Sequence, residues 1–332
     1  MAKHSAIVET RSISQFTMKV GITIPGLLFM LLSFSCQDTG PELPATPPPF
    51  KTPLGKVISR ESASGKPLQQ YLDARKAHEK DSTDVDLLIW YGRRMAYLGN
   101  YEDAIEIYTN GLRRFPDEAR LYRHRGHRYI SIREFDKAIA DLEKASELIE
   151  GTTNETEPDG IPNAMNIPVS TLHGNIWYHL GLAHYLKGNY EEAYTAYLNC
   201  LRSSSNHDNL VSSTHWLYMI QRRQGNHVAA DSLLLPITRE LEIIENHSYH
   251  NLCLFYKGSI PEKTLLPDEG SSAASDAISY GLANWYLMEG KVDKGYELLN
   301  EMVEGENWTS FGYIAAESDL IRLNSSAQTA TK

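Results

Sequence analysis

A hexapeptide turn, written twice, limits this chain to an array of helix hairpins. Gly99-Asn100-Tyr101-Glu102-Asp103-Ala104 returns as Gly188-Asn189-Tyr190-Glu191-Glu192-Ala193. In the first copy Leu88, Tyr91, Gly92 and Met95 fall at i, i+3, i+4 and i+7, one face of a helix. That run stops at Gly99, which suits the left-handed residue that follows a helix. The next run puts Ala104, Tyr108, Gly111 and Leu112 on one stripe, and Pro116 closes it. Helices that cross at Gly92, Ala104 and Gly111 can approach closely while the aromatic residues fill the flanks. A single hairpin of this size cannot bury its own apolar face, so stacked neighbours must share one core.

These residues resemble the tetratricopeptide repeat (TPR) family. Ala104 and Ala138 stand one 34-residue period apart. With Val85 as the first place, Tyr91, Gly92, Tyr101, Ala104, Tyr108, Gly111 and Pro116 occupy that family's marked places. The second copy has Tyr122, Gly126, Tyr129, Phe135, Ala138, Leu142 and Ala145, but its turn is Arg133-Glu134 and Glu150 replaces the closing Pro. An insert at about 151–169 precedes the third copy, which has Trp177, Leu180, Gly181, Tyr190, Ala193, Tyr197 and Cys200. Later copies decay around Gly225-Asn226, Gly258 and Gly290. The resemblance implies an all-α, right-handed superhelical solenoid of antiparallel helix pairs over 67–322. Its strong repeats are 85–116, 119–150 and 174–205, its degenerate repeats span 211–305, and a capping helix covers 308–322 before a polar tail at 323–332.

The first 66 residues read differently. Residues 20–34 form an apolar run preceded by Lys19, shorter than the ~20 residues of a spanning helix. The run reads as the core of a signal peptide over 1–36, and Met18-Lys19 makes a better start than Met1. Leu32-Ser33-Phe34-Ser35-Cys36 resembles a bacterial lipobox, which implies lipidation of Cys36 and attachment at the bacterial envelope. The other reading is ordinary cleavage with Cys36 a free thiol. Residues 37–66 hold Pro41, Pro44, Pro47, Pro48, Pro49 and Pro53 and read as an extended tether.

In the TPR family the first helix of each pair lines a concave ligand surface. Carried over place by place, the resemblance assigns Arg93, Arg120, Arg123, His127, Asn175, Tyr178, Tyr185, His215 and Arg222 to that surface, with Trp216 adding apolar contact. Arginine forks pair carboxylates, so an acidic protein or peptide is the expected partner. The other reading of these arginines is internal pairing with Glu118, Asp117 or Asp141, or a solvated helix face. The family's two-carboxylate clamp is not carried over, since Ile89 and Arg93 stand where it needs Lys and Asn. The net charge of −10 argues against nucleic acid.

No reaction is legible. GxSxG, P-loop and HExxH motifs are absent from the sequence, and no cofactor or metal is expected. His247, His250 and Cys253 lie nearly on one helix face but lack a fourth ligand. The sequence reading is a non-enzymatic scaffold that binds a protein or peptide at a bacterial envelope. Two alternatives stay open: a glycan or small-ligand receptor stacking sugars on Trp177, Tyr178, Tyr185 and Trp216, and a metal-dependent enzyme using the His-rich middle.

Overall fold

Small residues set where the helices cross. The computed structural model describes residues 43–265 and 273–330. After α1 (Gly65–Lys80) come three hairpins: α2 (Val85–Tyr97) with α3 (Tyr101–Leu112), α4 (Ala119–Ser131) with α5 (Phe135–Leu148), and α6 (Leu172–Lys187) with α7 (Tyr190–Ser203). A Cβ on Gly92 would lie 2.4 Å from the Tyr108 ring, one on Gly126 would lie 2.8 Å from Leu142, and one on Gly181 would lie 2.7 Å from Tyr197. The same contact therefore recurs in each hairpin. Gly181→Val is expected to cost about 1–3 kcal/mol by overpacking, read as a lower urea midpoint at unchanged slope.

The turns use local chemistry. Asp84 caps α2 by accepting from the amides of Asp86 at 2.8 Å and Leu87 at 3.2 Å. Gly99 and Gly188 take left-handed φ of 82° and 83°. In the second hairpin Arg133 takes this conformation itself, at φ 66°, against a cost of about 1–2 kcal/mol for a residue with a Cβ. Its side chain offsets that cost. Nε donates to Glu317 at 2.8 Å, and Nη2 donates to the Trp308 carbonyl at 2.6 Å.

The degenerate part is less regular. α8 (His207–Arg223) and the short α9 (His227–Leu233) turn at Gly225, and α11 (Ala273–Met288) and α12 (Val292–Glu304) turn at Gly290. Between them α10 (His247–Tyr256) is followed only by a 3-10 turn at Glu262–Thr264, so the described residues at Gly258 give no second helix. α13 (Phe311–Ala330) packs against α11, α12 and also α6. Its helical backbone runs through most of the stretch expected to be a polar tail. The core is aromatic, with Tyr197 and Trp216 stacked at 5.7 Å and Tyr185 meeting Trp216 edge-on at 5.0 Å.

The expected signal peptide over 1–36, the lipidation at Cys36 and the beginning of the tether lie outside the described residues. From residue 43 onward the tether reading needs correction, because the strap is packed. β1 (Phe50–Lys51) pairs antiparallel with β2 (Val57–Ile58), and Phe50 stacks on Trp308 at 4.8 Å. Lys56 Nζ donates to the carbonyls of Val303, Glu304 and Gly305 at 2.8–2.9 Å, closing the C-terminal end of α12. Arg60 forms a two-pronged pair with Glu102 at 2.7 and 2.9 Å. The prolines keep this strap out of helix, but they do not keep it in solvent.

Candidate functional site

The inner faces of α2, α4 and α6 hold a segment of the chain's own insert. At its base the insert is a narrow antiparallel pair. The Glu157 amide donates to the Ser170 carbonyl at 2.9 Å, and the Leu172 amide donates to the Glu155 carbonyl at 2.9 Å. From there residues 155–160 run along the wall. Asn175 Nδ2 donates to Glu157 Oε2 at 2.7 Å, and Arg123 Nε stands 3.2 Å from the same oxygen. Arg93 Nη2 donates to the Pro158 carbonyl at 2.8 Å, and Arg94 Nη1 donates to the Gly160 carbonyl at 3.2 Å. Gly160 is required by proximity, since a Cβ there would fall 1.7 Å from the Tyr97 hydroxyl.

The electrostatics follow from this closure. Burial alone would raise Glu157. The Arg123 charge, then His124 and Asn175, hold it instead well below the usual carboxylate range. Arg123 Nη1 lies 2.8 Å from His124 Nδ1, which must accept because guanidinium only donates. The His124 proton then sits on Nε2, 3.2 Å from Glu157 Oε1. Burial, assisted by Arg123, pushes His124 down to about 3. His179 is likewise pushed down to about 3, and burial holds His127 well below its ordinary value. These two rings meet at 4.3 Å, and Phe311 of α13 lies 5.5 Å from His127. The wall is thus guanidinium charge among neutral imidazoles, and it is built to take a carboxylate and backbone carbonyls.

The structure groups Arg93, Arg123 and Asn175 around residues 157–158, with His127 alongside. Tyr178 lines an adjoining cleft of about 260 Å³ together with Asn175, Asp208, Tyr249 and Phe311. Its hydroxyl accepts from Trp216 Nε1 at 2.9 Å. Arg120 pairs with Glu118 at 2.8 Å and Asp86 at 2.6 Å. Arg222 pairs with Glu289 at 2.5 Å.

Tyr185, His215 and Trp216 are enclosed in the core, each no more than 1% exposed. His215 and Trp216 turn inward because α8 is covered on nearly all sides by its neighbours, and Tyr185 of α6 is closed over by Trp216 and by Tyr280, whose hydroxyl lies 2.8 Å from its own.

Sequence reasoning missed Arg94, Tyr97 and the insert's acids. The signal was present: Glu155, Glu157 and Asp159 alternate in the loop next to an arginine-rich helix. Of the proposed metal ligands, His250 Nε2 donates to the Thr238 carbonyl at 2.7 Å, and the Cys253 thiol is buried against the Val211 carbonyl. Among the described residues no group of three His, Cys, Asp or Glu is placed to hold a metal. Burial pushes the Cys200 thiol up to about 11, away from nucleophilic form.

Stacked helix hairpins with a lined inner wall define a helical-repeat scaffold. The chain carries tetratricopeptide repeats: tetratricopeptide repeat family models match residues 92–149 and 174–207. No curated protein matches the chain. Among solved structures it is similar to YrrB, described as a TPR protein with an unusual peptide-binding site, at 15% identity over 74% of this chain and 97% of that one, with a TM-score of 0.40. It is also similar to MamA at 19% identity over 61% and 90%, with a TM-score of 0.38. No helix of the described residues is long and apolar enough to cross a membrane.

Proposed function

We propose that the chain is a non-catalytic scaffold that captures an extended, acidic segment of a protein partner along the wall of α2, α4 and α6. One observation carries this reading: the wall already holds such a segment in cis. Arg93 and Arg94 grip its backbone carbonyls, while Arg123 and Asn175 take its glutamate. Contacts to backbone and to one carboxylate suit a peptide more than a rigid small molecule. A glycan receptor finds less support, since Tyr185 and Trp216 offer no exposed ring face for a sugar. The scaffold is placed at a bacterial envelope, held by a lipid on Cys36. That part of the proposal rests on the apolar run at 20–34 and the lipobox-like residues before Cys36.

The test opens the wall. Residues 155–160 are replaced by a Gly–Ser stretch, and the chain is titrated with a labelled peptide copying 153–162. Saturable binding that weakens with salt is expected. Arg93→Ala in the opened chain removes a charged donor worth about 1.5–3 kcal/mol, so it should weaken binding at least tenfold. An opened chain that ignores the peptide would sink the reading.

A further inference from the structure

The insert's geometry also says how such a site is regulated. Its grip is local. Two backbone hydrogen bonds and the Thr156–Thr171 bridge hold its base, and Glu157 is its one enclosed carboxylate. The tip beyond Gly160 adds little burial. Ile161, Met165 and Ile167 are 77%, 60% and 43% exposed. Asn163 organises the tip by accepting from the Met165 and Ile167 amides, and it reaches Glu245 at 3.2 Å.

The wall meanwhile holds more positive charge than the insert satisfies. Among the described residues Arg93, Arg94 and Arg128 have no ion-pair partner within 4.0 Å. Arg93 and Arg94 are given carbonyls, and Arg128 stands over the Tyr101 ring at 5.4 Å. Asp159 is near enough to Arg93 to feel its charge but does not close on it.

We infer that residues 155–160 are a built-in competitor for the peptide groove, displaced by a partner segment that carries a further carboxylate for Arg93, Arg94 or Arg128. This rests on the groove reading above and adds a rule to it. The free protein is self-occupied, and the partner succeeds by supplying the charge that the insert withholds. A tethered competitor needs only weak intrinsic affinity, because its effective concentration is high. The displaced acids would then face solvent, where a carboxylate is hydrated at little cost.

The intact chain, the opened chain and Glu157→Gln are each titrated with the labelled 153–162 peptide. The opened chain and Glu157→Gln should both bind at least tenfold more tightly than the intact chain. A Pro158→Glu version of the peptide should bind the opened chain more tightly than the parent peptide. In the intact chain, saturating peptide should speed hydrogen exchange at the Glu157 and Leu172 amides, whose partners are Ser170 and Glu155.

That exchange measurement decides the matter if Glu157→Gln does not fold. Equal affinity of the intact and opened chains with unchanged exchange overturns the competitor role and leaves the groove reading standing. No binding to the opened chain overturns both. A Pro158→Glu peptide that binds no better overturns the role of the unpaired arginines.

Discussion

Acidification from pH 7 to pH 5 should remove a large part of the array's stability. Three fully enclosed imidazoles, His124, His179 and His215, are each pushed down to about 3, chiefly by burial. In the unfolded chain each returns to about 6.5. Between these values the unfolded state binds more protons, so stability rises with pH across that window. The contribution is complete above pH 6.5 and is lost as the pH falls toward 3. Each group loses about 1.4 kcal/mol per pH unit below 6.5. At pH 5 the three together lose roughly 6 kcal/mol, against a typical total of about 5–15 kcal/mol.

His127, also held low by burial, adds to the effect. Asp141 and Glu245 are raised by burial and act in the opposite direction, but only as the pH nears the ordinary carboxylate range. Urea titrations at pH 7, 6 and 5 should show the midpoint falling steeply. A flat profile over that interval would mean that the rings are solvated or already charged.

The hairpins were legible because their signal is local. Gly92 against Tyr108 and Gly181 against Tyr197 are pairs that a fixed spacing within one repeat already implies. The inner wall was only half legible. Spacing identifies which face of α4 carries Arg123, but it does not say what that guanidinium meets. Its partner Glu157 comes from an insert with no repeat equivalent, and Phe311 arrives from a helix distant in sequence. Tyr185, His215 and Trp216 show the opposite failure. The repeat pattern assigns them inward to a ligand, but the degenerate second half folds so that α8 lies inside the core with His215 and Trp216, and Trp216 and Tyr280 close over Tyr185 of α6. The packed strap at 43–64 was hidden for a third reason. Proline content excludes helix, yet it says nothing about Lys56 reaching the end of α12.

Asp319→Ala should release α13 from the array. Asp319 is 2% exposed and accepts from several donors at once. Arg223 Nη1 donates to it at 3.0 Å and the Tyr280 hydroxyl at 2.8 Å, and Arg322 of the same helix completes the cluster. Burial would raise this carboxyl, but the Arg223 and Arg322 charges hold it below its ordinary value. Removing it leaves the Arg223 guanidinium enclosed between Tyr185 and Tyr190 with no counter-charge. Breaking a buried pair from one side costs about 3–5 kcal/mol. Part of that cost can be avoided if α13 lifts away and water reaches Arg223. The expected result is therefore a large loss of stability together with faster hydrogen exchange in α13 before global unfolding. The wall would register the change as well, because Phe311 packs on His127 and His179. Once α13 departs, water reaches those rings, and stability should depend less steeply on pH between 7 and 5 in the variant's remaining folded part. A variant with wild-type exchange in α13 would show that Asp319 is not what fastens this helix across the inner wall.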